Sequence, residues 1–132
     1  MKQLNLLQII IVTALGILGW ALCGAIMFIG MSIMNLQTTL IVHAIGAPII
    51  FALISLFYFK RFNYTSALLT GILFLSIVIL MDFFLVGLII NRSLEMFRSL
   101  LGTWIPFGLI FLSTYFTGLV MKQRAKRIRA AR

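Results

Sequence analysis

Polar residues interrupt this chain rarely, and where they do they divide it into four apolar stretches. Between Lys2 and Lys60 there is no charge, and the one polar cluster in that interval is Asn35-Leu36-Gln37-Thr38-Thr39. The interval is too long for a single crossing, because a spanning helix needs about 20 mainly apolar residues at about 1.5 Å of rise each. A break at the cluster predicts a first span over 6–34 and a second over 40–59, closed by Lys60-Arg61-Phe62-Asn63-Tyr64. The third covers 66–90, up to Asn91-Arg92-Ser93, and the fourth covers 104–121, where Lys122 opens a basic tail over 122–132. Backbone facing lipid must satisfy its own hydrogen bonds. The expectation is therefore an all-α integral membrane protein, an antiparallel up-down-up-down bundle of four transmembrane helices. Between spans three and four, Leu94, Phe97 and Leu101 recur at i, i+3 and i+7 while Glu95, Arg98 and Ser99 take other faces. That pattern predicts a short amphipathic helix lying at the membrane interface.

Composition agrees with this reading. The chain has 132 residues, 63% hydrophobic and 10% charged, with a mean hydropathy of +1.18. Water-soluble domains average about 25% charged residues, so a soluble globular domain is excluded. A net charge of +9 suggests a nucleic-acid binder until the charges are located, for six of the eleven positive residues lie beyond Met121. No aromatic residue is interleaved among them for base stacking, so no nucleic-acid partner is expected. Lys122, Arg124, Lys126, Arg127 and Arg129 are instead expected to meet anionic lipid headgroups, which attract juxtamembrane cations by about 1 kcal/mol each. With the N-terminus inside, nine cations (Lys2, Lys60, Arg61 and the six of the tail) face the cytoplasm against Arg92 and Arg98 outside. The positive-inside bias thus predicts both termini cytoplasmic, in a plasma (inner) membrane. Tyr58 and Tyr64 are expected at the inner boundary and Trp104 at the outer one. Trp20 falls in mid-span and is expected to pack rather than to form a belt. Trp20-Ala21-Leu22-Cys23 superficially suggests a lipoprotein cleavage box, but bulky Leu22 and the membrane-length sequence that follows argue against it.

Helices in lipid associate through close packing of small residues and through buried polar contacts. Each span carries such a stripe: Ala14, Ala21 and Ala25 with Gly24; Ala44, Pro48, Ala52 and Ser55; Ala67 and Gly71 leading to Val78 and Asp82; and Thr114, Thr117 and Gly118. All are expected to face into the bundle, or some to face sister subunits. The two halves are faintly alike, with Gly-Ile-Leu at 16–18 and 71–73 and proline at 48 and 106. A duplication would be related by an axis along the membrane normal.

Chemistry rests on few residues. An ionisable group inside a span is costly and marks a candidate functional site. Two are present, His43 in span two and Asp82 in span three, both expected in the outer half on neighbouring helices. Arg92, Glu95 and Arg98 are near in depth, so the candidate is a polar cluster opening outward. Asp82 is either a tether, paired with His43 or Arg92, or a group that binds and releases a proton or cation with His43 as relay. No metal or cofactor site is expected, and no catalytic motif is found. One cysteine allows no intrachain disulfide, and Cys23 and His43 are expected at different depths. The leading expectation is a small membrane protein without a soluble catalytic domain, an accessory or interaction subunit whose partners are the bilayer and a homo-oligomer or larger membrane complex. The alternatives are a minimal proton- or ion-coupled transporter or channel using Asp82 and His43, and a membrane-embedded enzyme acting on a lipid.

Overall fold

The computed structural model of the chain describes residues 5–90, 98 and 103–131. Four helices are long and apolar enough to cross a membrane, which marks a multi-pass membrane protein. Helix α1 spans Leu6–Ile33, α2 Leu36–Arg61, α3 Ala67–Met81 and α4 Ile105–Ala131; α3 continues as a wider π-helical stretch over Asp82–Ile90.

The caps explain the boundaries. Asn5 and Gln8 form a reciprocal capping box at the start of α1, Gln8 N–H donating to Asn5 Oδ1 at 2.9 Å and Asn5 N–H to Gln8 Oε1 at 3.2 Å. Asn35 then caps α2, accepting from Thr38 N–H at 2.8 Å, so only Met34 and Asn35 separate the first two helices. The polar cluster expected as a loop is thus the first turn of α2, because a capped asparagine satisfies the free amides of a helix start. Between α2 and α3, Asn63 takes a left-handed conformation with φ 54°, a state asparagine adopts more readily than most residues. Ser66 starts α3 by accepting from Leu69 N–H at 3.2 Å. At the other end of the chain, the stretch expected as a tail continues α4 helically to Ala131. The expected interfacial helix and Arg92 and Glu95 lie outside the described residues; Arg98 is described, and exposed.

Close contacts give the helix directions. The bare α-carbon faces of Gly19 and Gly30 lie against Phe51 and Thr39, so α1 and α2 are antiparallel. Gly71 against Phe111 and Gly118 against Ala67 make α3 and α4 antiparallel as well. Around the bundle the order is α1, α2, α4, α3: α1 and α4 each pack on both α2 and α3, while α2 and α3 stand on a diagonal. This corrects the expectation that spans two and three are neighbours. It also places α1 beside α3, whereas a twofold along the membrane normal would set those two on a diagonal; the two hairpins lie side by side instead. Across the middle, the rings of Phe51 and Phe74 meet at 5.9 Å and those of Tyr58 and Phe74 at 6.1 Å. Phe51, Tyr58 and Phe74 are fully buried and form the centre of the core with Ala47, Val78 and Ile110.

Three of the four small-residue stripes point largely inward, with Ala44, Ser55, Ala67, Gly71, Thr114 and Gly118 buried. The stripe of α1 does not. Ala14, Ala21, Gly24 and Ala25 are exposed, and the buried face is Val12, Gly16, Gly19, Cys23 and Gly30. The physical reason is shape: Phe51 and Thr39 fill the space beside Gly19 and Gly30, and an alanine methyl there would force those side chains to shift.

Candidate functional site

Asp82 stands where α-helical winding gives way to π-helical winding. Its own N–H is shared between the carbonyls of Val78 and Ile79, a bifurcation common at helix termini. Its side chain is half-buried and accepts a hydrogen bond from Trp20 Nε1–H at 2.8 Å. The register follows from direction. Gly16 lies against Ile77, and one α-helical turn further along both helices Trp20 meets Asp82. Such concerted advance requires α1 and α3 to run parallel. Trp20 is close to the midpoint of α1, which places the carboxylate level with the centre of that helix. Cys23 is buried on the same helix, three residues beyond Trp20.

The expected pairing of Asp82 with His43 is not among the hydrogen bonds of the described residues. His43 sits on α2, diagonal to α3. By the α1–α2 register (Gly19 on Phe51, Gly30 on Thr39) His43 is level with Met27. That is about seven residues, or about 10 Å of rise, from the level of Trp20 and Asp82. His43 Nδ1 is buried and has no hydrogen-bond partner among the described residues. Of the remaining members of the expected cluster, Arg98 is exposed, and Arg92 and Glu95 lie outside the described residues. The residue that sequence reasoning missed is Trp20. Its signal was present, for an indole buried in mid-span carries an N–H that needs an acceptor, and Asp82 is the sole acid within a span.

A second polar cluster escaped the sequence reading altogether. Tyr58, expected at the membrane boundary, is fully buried, and its hydroxyl lies 2.7 Å from Thr65 Oγ1 while accepting from Tyr64 N–H at 3.2 Å. Thr65 and Thr70 join hydroxyl to hydroxyl, and Thr70 Oγ1 donates to Ser66 O at 2.7 Å. Each hydroxyl in this chain can serve as donor and acceptor at once, which lets a run of them close without a charge. Elsewhere in the core Ser55 Oγ on α2 and Thr114 Oγ1 on α4 are buried without a partner among the described residues.

The tail residues Arg124, Lys126, Arg127 and Arg129 are exposed along the last turns of α4. Lys122 is partly buried, its ammonium 5.8 Å from the centre of the Phe59 ring, a cation–π distance. Among the described residues no group of His, Cys, Asp or Glu side chains is placed to hold a metal ion. Compared with protein-family models, curated proteins and solved structures, the chain matches none.

Proposed function

We propose that this protein is an accessory or interaction subunit of a membrane assembly, a four-helix unit without a soluble catalytic domain that docks through α1. One observation carries this reading: the small residues of α1, Ala14, Ala21, Gly24 and Ala25, point out of the bundle. A Cβ on Gly16, Gly19, Gly30, Gly46, Gly71 or Gly118 would crowd a neighbour, so internal packing accounts for each. A Cβ on Gly24 would meet nothing, as on Gly108 of α4, but Gly108 is flanked on its face by Trp104 and Leu112 whereas Gly24 lies among exposed alanines. A glycine inside a helix costs about 1 kcal/mol relative to alanine. In lipid such a face is the kind that admits another helix at close range. The Trp20–Asp82 bond fits the same reading, since it spends the acid on holding α1 against α3. In this reading both termini are cytoplasmic, the segment between α3 and α4 lies at the outer interface, the membrane is the plasma (inner) membrane, and residues 122–132 serve as a cytoplasmic extension that touches anionic lipid.

The test is purification of the full chain from its native membrane in mild detergent. A stoichiometric larger partner is expected, and Ala21→Ile with Gly24→Ile should release it while the bundle stays folded. Recovery of a free monomer or a partnerless homo-oligomer would refute the assignment. One observation favours proton- or ion-coupled transport as a second reading: Asp82 opens the π-helical stretch, and such irregularities frequently mark functional sites. In proteoliposomes that reading requires pH-linked flux that Asp82→Asn abolishes; flux of equal size in the variant discards it.

A further inference from the structure

We propose that the chain carries a site for one anionic phospholipid between α2 and α4, with an acyl chain in an apolar groove and the phosphate between Lys60 and Arg124. The groove, about 360 Å³, lies between Ala52, Leu53 and Leu56 of α2 and Phe116, Val120 and Met121 of α4. Thr117 also lines it, but its hydroxyl donates to Ser113 O at 2.6 Å, so it offers no free donor to a ligand.

The two helices run parallel, and each wall ends in a cation on the same face. On α2, Leu53, Leu56 and Lys60 follow at i, i+3 and i+7; on α4, Phe116, Val120 and Arg124 follow at i, i+4 and i+8. Residues at those spacings line one side of a helix. Both cations are exposed. Arg124 is held on a continuous helix, because α4 runs on to Ala131. Lys122 adds positive potential at the same end while its ammonium rests over Phe59.

Among the described residues nothing neutralises these charges: their one acid is Asp82, on α3 and bonded to Trp20. A basic mouth on an intramembrane apolar groove matches a phospholipid in both of its parts, and basic pockets between transmembrane helices hold anionic headgroups. A partner helix fits the groove poorly. Leu53, Leu56 and Phe116 stand out from its rim, largely exposed, where close helix approach requires small residues.

The experiment is native mass spectrometry of the delipidated full chain titrated with phosphatidylglycerol, and with phosphatidylcholine of the same acyl chains. A single phosphatidylglycerol adduct is expected to be retained, with a preference of about 30-fold from two cations. Lys60→Gln with Arg124→Gln should erase the preference. Ala52→Phe, which fills the groove and leaves every charge, should weaken the adduct as well, whereas Arg127→Gln with Arg129→Gln should leave it intact. If Ala52→Phe does not elute as a monodisperse helical protein, Val120→Phe on the exposed wall takes its place. Wild-type retention by the groove-filling variant, or equal losses from the two charge pairs, would reduce the attraction to a diffuse basic surface and overturn the site. All arms use the isolated chain, so the outcome is independent of whether α1 docks on a partner.

Discussion

The hydroxyl chain at the α2–α3 turn and the Trp20–Asp82 bond in mid-bundle are both buried polar contacts, built in opposite ways. In the first, every group lies between Tyr58 and Thr70, each hydroxyl is neutral, and bonds follow one another without a break. In the second, residues 62 positions apart make one bond between an indole and a carboxylate. The local cluster closes a turn that has to carry the chain across a diagonal of the bundle, so its loss exposes several groups together. The distant bond only ties α1 to α3, two helices already seated by Gly16 on Ile77.

That contrast predicts a graded series in unfolding free energy, measured by detergent denaturation. The largest effect belongs to Tyr58→Phe, which keeps the ring and removes the hydroxyl shared by Thr65 and the Tyr64 amide. A loss of about 1–3 kcal/mol is expected for buried groups left without a partner. A loss no larger than that of Trp20→Phe would erase the distinction. Next comes Trp20→Phe, at about 0.5–2 kcal/mol for an interhelical contact within a membrane. Asp82→Asn should cost less, because the amide oxygen still accepts from the indole. A double-mutant cycle between Trp20→Phe and Asp82→Leu, each of which removes the bond, should return a non-zero coupling, and zero coupling would detach the bond from stability. Gly24→Ala should cost nothing and instead stabilise the isolated chain by about 1 kcal/mol, because the added methyl meets nothing and alanine is the better helix former. A clear loss there would mean the outward face of α1 is already in contact.

The crossings and the acid were legible in the residues. The first turn of α2 was not: Asn35 caps it through the Thr38 amide, so the helix starts at Leu36, four residues before the expected start. Asp82 stood out because no other acid lies within a span. Its partner was misplaced because hairpin order was assumed to be spatial order. The burial of Tyr58 was not legible, because it depends on the following turn folding Thr65 back over its hydroxyl. The inward face of α1 was read from its alanines, when the neighbouring rings and threonines select its glycines.

From the residues alone came the number of crossings, the approximate positions of their ends and the isolation of one carboxylate among hydrocarbon. Those follow from the bilayer, which demands apolar length and penalises charge whatever the neighbours are. Only the folded chain decided which helices touch, which face of α1 turns inward and which donor reaches Asp82. The helices are apolar nearly all round, so periodicity carries no direction. Neighbours are then chosen by the fit of glycine hollows to rings and methyl groups, a property of surfaces meeting in three dimensions.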